Sequence, residues 1–131
     1  MDRKKLFAGM TALIVFIFVV NFLALKFYWY SSFWWSDIPM HFLGGAWVAM
    51  AVIWLFDIRT LNLKVIFKIL AMVLVIGVLW EGYDLINDSI AKTPFNTRDT
   101  LSDICLDLLG GLTVALYLFK RINRLSAKEY I

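Results

Sequence analysis

Four apolar stretches, each long enough to cross a lipid bilayer, constrain the fold of this chain more than any other feature. A helix needs about 20 mostly apolar residues to span the hydrocarbon core. Of the 131 residues, 62% are hydrophobic, more than a soluble domain of this size can bury. The predicted helices occupy residues 6–25, 38–56, 63–88 and 100–119. We therefore expect an all-α integral membrane protein, with residues 1–131 forming one bundle of four transmembrane helices.

Basic residues divide unevenly between the two ends of this predicted bundle. One end carries ten of the thirteen, namely Arg3, Lys4, Lys5, Arg59, Lys64, Lys68, Lys120, Arg121, Arg124 and Lys128. The other end carries Lys26, Lys92 and Arg98. By the positive-inside rule, both termini and the 57–62 loop are predicted to be cytoplasmic. The first apolar run is too long for a signal peptide and no cleavage site follows it, so we expect a retained anchor in the plasma (inner) membrane.

The two connections on the predicted outer side differ in composition. Residues 27–35 are dense in Phe, Tyr and Trp, which is typical of side chains at the depth of the lipid headgroups. Residues 85–102 are polar and contain Pro94, which indicates a loop or a lid. The modest net charge of +3 comes from the cytoplasmic flanks, and no feature indicates nucleic-acid binding.

The single histidine and most of the acidic residues gather at this same outer end. They are His41, Asp37, Glu81, Asp84, Asp88, Asp99, Asp103 and Asp107. A carboxylate in an apolar helix costs several kcal/mol unless it is paired, protonated or bound to a cation. At 100° per residue, the acids of each helix share a stripe with a glycine, such as Gly44, Gly77 or Gly110. Small residues favour close helix contact, so these stripes are predicted to face the bundle interior.

A functional site in the outer half of the membrane follows from this convergence. Its candidate functional residues are His41, Glu81, Asp84, Arg98, Asp103 and Asp107, with Asp37 and Asp99 in supporting positions behind them. The candidate ligands of one divalent cation are His41, Glu81, Asp103 and Asp107. Oxygen-rich ligands with one imidazole suit Mg²⁺, Mn²⁺ or Ca²⁺ better than Zn²⁺.

Simpler structural roles remain open for several of these residues. Asp37 precedes Ile38-Pro39 and has the position of a helix N-cap, and Thr100-x-x-Asp103 has the form of a capping box. His41 could be a neutral, hydrogen-bonded residue of the core. Glu81 and Asp107 could share a proton or pair with Arg98. Cys105 has no second cysteine to pair with, and we interpret it as a packing residue.

The order and placement of the polar motifs resemble those of the VanZ-like membrane proteins. The motifs are Asp37-x3-His41-Phe42, Glu81-x2-Asp84, Arg98-x4-Asp103-x3-Asp107 and Gly110-Gly111. Ile38, Asp84 and Asp107 stand where the family motifs have Lys, Gln and Asn, which adds negative charge. The resemblance covers residues 37–111 and implies a cell-envelope protein with an outward-facing polar site, in a family associated with resistance to glycopeptide antibiotics.

These observations lead to one main functional hypothesis and several alternatives. The main hypothesis is an envelope protein that binds or modifies an amphiphilic or lipid-linked molecule. Such a molecule could carry a phosphate group. An enzyme of this kind would be a metal-assisted hydrolase or transferase in which His41 acts as acid or base and Arg98 neutralises phosphate. The alternatives are a proton- or cation-coupled transporter and a non-catalytic metal- or ligand-binding protein. The glycine-rich helices are also compatible with a homodimer.

Overall fold

A computed structural model describes the backbone of residues 2–129 and the side chains of residues 2–124, and within these limits every regular element is a helix. The helices are α1 (Arg3–Lys26), α2 (Trp29–Ser32), α3 (Asp37–Leu55), α4 (Leu63–Ala91) and α5 (Thr97–Glu129). Four of them, α1, α3, α4 and α5, are long and apolar enough to cross a membrane. The predicted four-helix membrane fold is confirmed. Lys128 of the predicted basic end lies outside the described side chains.

Local hydrogen bonds fix where the long helices begin and end. The Asp2 carboxylate accepts from the backbone N–H groups of Lys4 and Lys5 at the start of α1. The Asn62 side chain accepts from Val65 at the start of α4. Such caps satisfy N–H groups that have no partner inside the helix. Lys92 ends α4 in the left-handed conformation, with a φ of 56°.

The connection between α4 and α5 is much shorter than predicted. Helix α4 continues to Ala91 and α5 begins at Thr97, each three residues beyond the predicted bounds of 88 and 100, so the predicted polar loop or lid over 85–102 is reduced to residues 92–96. The polar side chains of this stretch are compatible with helix, and the Ser89 hydroxyl donates to the Leu85 carbonyl at 2.8 Å within α4. The acids of this region therefore lie on helical turns. The short helix α2, inside the aromatic segment, was not predicted.

Helix α3 is the centre of the bundle. It packs most closely on α5 and also contacts α1 and α4, while α4 packs on α5. The core away from the acidic residues is apolar and consists of Leu6, Ala49, Val52, Ile53, Leu61, Ile69, Val73 and Leu118. The acidic residues of α3, α4 and α5 lie toward the other end, which we call the acidic end. The opposite end, with Arg3, Asp57 and Arg59, is the basic end.

Two glycines allow α3 and α5 to touch backbone to backbone. A Cβ atom at Gly45 would collide with the Asp107 carbonyl oxygen, and one at Gly110 would collide with the Phe42 carbonyl oxygen. A Cβ at Gly44 would meet nothing within 4 Å. The contact between α3 and α5 therefore depends on Gly45 and Gly110, whereas Gly44 plays no part in it.

Gly45→Ala is expected to destabilise the bundle, because the added methyl group forces the backbones of α3 and α5 apart. Overpacking of this kind costs about 1–3 kcal/mol. Gly44→Ala carries the same gain in helix propensity without a collision, so it should be neutral or stabilising. The measurement is the midpoint of unfolding in a denaturing detergent titration. Equal midpoints for the two variants would contradict the close contact.

A cluster of charges joins α1 to the segment that follows α3 at the basic end. Asp57 lies 3.0 Å from Arg3 and 2.8 Å from Arg59. The Arg3 guanidinium also lies over the Trp54 ring, 5.3 Å from its centroid. The hydrogen bond from Arg59 and the charges of Arg3 and Arg59 lower the pKa of the Asp57 carboxyl below its ordinary value of 3.8. These contacts attach the start of α1 to the end of α3.

The stability that Asp57 provides should depend on pH. Because its pKa is lowered on folding, its contribution is complete above the ordinary pKa of aspartate and is lost as the pH falls through the folded value. The melting temperatures of the wild type and Asp57→Asn should therefore begin to converge below about pH 5 and should continue to converge as the pH falls below 3.8. Since the group is exposed, the difference at neutral pH should be small. A difference that stays constant, or that grows toward low pH, would contradict this assignment.

Candidate functional site

One imidazole lies among three carboxylates at the acidic end. The Nδ1 atom of His41 is 3.3 Å from Oδ1 of Asp107. The Nε2 atom of His41 is 3.6 Å from Oδ2 of Asp37 and 3.6 Å from Oδ2 of Asp103. A carboxylate oxygen can only accept, so any proton on Nδ1 is donated to Asp107. We call these four residues the histidine–aspartate cluster.

Most of this cluster is shielded from solvent. The side chains of His41, Asp103 and Asp107 are 9%, 10% and 11% exposed, and that of Asp37 is 42% exposed. Three carboxylates outnumber one imidazole even when the imidazole is charged. Negative charge at reduced dielectric is unfavourable by several kcal/mol for each close pair, so protons or a bound cation must balance it.

Helical spacing and glycines bring the cluster together. Asp37 and His41 are four residues apart on α3, and Asp103 and Asp107 are four apart on α5, so each pair lies on one helix face. The contact at Gly45 then places the two faces opposite each other. On α4, a Cβ at Gly77 would lie 2.8 Å from Oδ2 of Asp107, so this glycine leaves room for the carboxylate.

The other predicted site residues lie outside the histidine–aspartate cluster. Glu81 is half-buried, and its Oε1 atom has no hydrogen-bond partner in the described part of the chain. Asp84 is half-buried on α4, whereas Arg98 and Asp99 are exposed on α5. Within the described residues, no carboxylate lies within ion-pair distance of Arg98. The structure therefore gathers His41, Asp103 and Asp107, together with Asp37, and leaves Arg98 at the surface.

Helix capping does not explain the aspartates of the cluster. The N-cap of α3 is Ser36 and not Asp37, which lies in the first turn. Asn96 caps α5, since its side chain accepts from the Arg98 N–H at 3.2 Å. Thr100 and Asp103 are therefore interior to α5 and form no capping box. Both acids are left available for His41.

The two sides of the imidazole have different ligand geometry. Nε2 of His41 and one oxygen each from Asp37 and Asp103 lie within 4.8 Å of one another, a spacing that can hold a metal ion. Nδ1 faces Asp107 on the other side. A histidine that binds a metal through one nitrogen typically donates the other N–H to a carboxylate. In this arrangement Asp37 would be a metal ligand and Asp107 would orient the ring. The sequence prediction had these two roles exchanged, with Asp107 as a ligand and Asp37 in a supporting position.

A cavity of about 410 Å³ reaches the cluster from the apolar part of the bundle. Its walls come from α1 and α4, with Ile14, Ile17, Phe18, Val73, Ile76 and Trp80 among them. Residues of α3 between these walls include Met40, Gly44, Trp47 and Val48. Its polar lining consists of Asn21, Tyr30, Asp37, His41 and Asp107. The cavity is thus apolar along most of its surface and acidic at one place.

Sequence reasoning missed two polar residues of this cavity. The Tyr30 hydroxyl donates to Oδ1 of Asn21 at 2.6 Å, which ties α2 to α1 beside Asp37. Burial and the nearby Asp37 charge raise the pKa of Tyr30 above 10.0, so the hydroxyl keeps its proton. Asn21 could have indicated this polar contact from the sequence, because an amide in an apolar span needs a hydrogen-bond partner.

Gly77→Ala is expected to push the Asp107 carboxylate away from His41, because the new methyl group would lie within 2.8 Å of Oδ2. Gly82→Ala is the matched control on the same helix, since a Cβ there meets nothing within 4 Å. His41 is the only histidine, so its imidazole gives a single set of ¹⁵N resonances. We expect Gly77→Ala to shift the Nδ1 resonance and Gly82→Ala to leave it in place. Unchanged spectra for both would contradict the contact.

Comparison with known proteins identifies the family. A family model described as "Predicted membrane protein (DUF2238)" matches residues 2–124. The chain belongs to the DUF2238 family of predicted membrane proteins. No curated protein and no solved structure matches it. Membership of DUF2238 agrees with the four-helix membrane fold, and it leaves the VanZ-like resemblance of residues 37–111 as a hypothesis.

Proposed function

We propose that this DUF2238 protein binds an amphiphilic molecule of the membrane. The apolar part of the ligand would occupy the cavity between α1, α3 and α4, and its polar head would contact Asp37, His41 and Asp107. The observation that carries the proposal is the cavity itself, in which a long apolar lining ends at a buried polar cluster. Ligand sites typically combine apolar walls with a few convergent polar groups.

The energetics favour a ligand over a purely structural role for the cluster. Grouped carboxylates do not stabilise a membrane bundle by themselves, and replacing buried ionic groups by apolar ones is often neutral or stabilising. The apolar core at the basic end shows that this chain can pack without polar groups. A polar ligand head offers these groups partners.

The location of the site is part of the proposal. By the positive-inside rule, the basic end would be cytoplasmic and the acidic end would face outward across a plasma membrane. The ligand would then be an envelope molecule, in keeping with the VanZ-like resemblance, and binding need not be followed by a reaction. A transport pathway would need polar groups through the other half of the bundle, where the described core is apolar.

Gly44→Leu is expected to block the cavity, because Gly44 lines it and has space for a side chain. Gly82→Leu is the matched control, since Gly82 also has space but does not line the cavity. Native mass spectrometry of protein extracted from membranes should show a bound amphiphile in the wild type and in Gly82→Leu. The blocked variant should lose it. A ligand that remains bound to Gly44→Leu, or no ligand in any of the three, would contradict the proposal.

A divalent cation at the Nε2 side of His41 is a second candidate. It is supported by the spacing of the Asp37, His41 and Asp103 atoms and by the carboxylate of Asp107 behind the ring. Mg²⁺, Mn²⁺ and Ca²⁺ accept such oxygen-rich sites. A cation bound here would relieve the excess of negative charge in the cluster.

Millimolar Mn²⁺, Mg²⁺ or Ca²⁺ should raise the melting temperature if the cluster binds one of these ions, because a ligand that binds only the folded state stabilises it. Asp37→Asn should abolish the shift. Asp88→Asn, an acid of the same end that belongs to neither the cluster nor the cavity lining, should preserve it. An equal shift in the two variants would reveal nonspecific binding, and no shift in the wild type would exclude the cation.

A further inference from the structure

We infer that the amphiphile bound by this protein has a single alkyl chain and a cationic head group, of which a primary amine is the simplest example. This inference rests on the proposed function and narrows it to one chemical class. It is carried by the juxtaposition of an apolar cavity with the carboxylates of Asp37 and Asp107.

The charge of the lining selects against an anionic head. Among the described residues, none of those that line the cavity is Lys or Arg, while Asp37 and Asp107 are both present. The imidazole of His41 can contribute at most one positive charge against the three carboxylates around it. A phosphate head would meet like charges there, and Arg98, the predicted partner of phosphate, is exposed and does not line the cavity. A cation is the head group that complements this lining.

The geometry suits a head group that donates several hydrogen bonds. An ammonium group has three donors and no acceptor, and the carboxylates of Asp37 and Asp107 supply acceptors. Asp37 is the accessible member of the cluster, since 42% of its side chain is exposed. The head can therefore be held without displacing the buried contact between His41 and Asp107.

The size of the cavity suits a small apolar part. A volume of about 410 Å³ lies near the lower end of the roughly 300–1,000 Å³ typical of small-molecule pockets. Apart from Asn21 and Gly77, the lining on α1 and α4 is aliphatic or aromatic, with Ile14, Ile17 and Ile76 as examples. One alkyl chain fits these dimensions better than the two chains of a phospholipid.

The test compares three probes that share a dodecyl chain and differ in the head: dodecylamine, dodecanol and dodecyl phosphate. Binding is measured by calorimetry with the wild-type protein in phosphatidylcholine nanodiscs, after subtraction of the heat seen with the blocked variant Gly44→Leu. The subtraction removes partitioning into lipid. We expect the amine to bind at least about tenfold more tightly than the alcohol, and the phosphate to bind most weakly. Asp37→Asn should bring the amine to the affinity of the alcohol, while Asp88→Asn should not.

Each other outcome overturns a defined part of the account. Equal binding of the three probes, or tightest binding of the phosphate, would overturn the cationic head and leave the amphiphile site in place. Failure of all three probes to bind above the blocked variant would overturn the proposed function as well. Because the comparison of heads uses the wild-type protein, it stands even if a cluster variant does not fold.

Discussion

The site of this protein depends on the contact between His41 of α3 and the aspartates of α5. That contact requires the two helix backbones to touch, which Gly45 and Gly110 allow. The close approach brings Asp103 and Asp107 to opposite nitrogens of one imidazole, and Gly77 leaves the room that Asp107 needs. Small side chains, which favour helix association in membranes, thus also build the polar centre. The same glycine contacts therefore determine both the packing of α3 on α5 and the geometry of the histidine–aspartate cluster.

The four membrane helices could be predicted from the sequence, because apolar runs of this length have few other stable structures. The polar segment over 85–102 was misjudged for a physical reason. Asn, Asp and Ser are common in loops, but they also fit a helix that leaves the apolar region, where backbone groups still bond within the helix. Helix α4 ends at Lys92, which has the left-handed conformation. A glycine at this position would have indicated the helix end in the sequence, but a lysine does not. A prediction from composition alone therefore overestimated the length of the loop between α4 and α5.

Helical periodicity indicated that the acids of α3, α4 and α5 would converge. The structure places Asp37, Asp103 and Asp107 around His41 and leaves Glu81 and Asp84 of α4 outside this cluster. Periodicity could not tell which aspartate faces which nitrogen, because that depends on the rotation and spacing of helices from distant parts of the chain. The same limit applies to Arg98, whose place near the motifs suggested a role but whose side chain is exposed. The cavity was beyond sequence reasoning, since α1 and α4 form its walls without any shared motif.

The most direct test of the central claim is a solid-state NMR measurement of the distances from the two His41 ring nitrogens to aspartate carboxyl carbons in lipid bilayers. The account predicts measurable ¹⁵N–¹³C dipolar coupling at both nitrogens. Asp107→Asn should change the aspartate coupling at Nδ1 alone, and Asp103→Asn should weaken the coupling at Nε2 alone. Absence of coupling at Nδ1 in the wild type, or loss at both nitrogens in each variant, would contradict an imidazole held between the two helices.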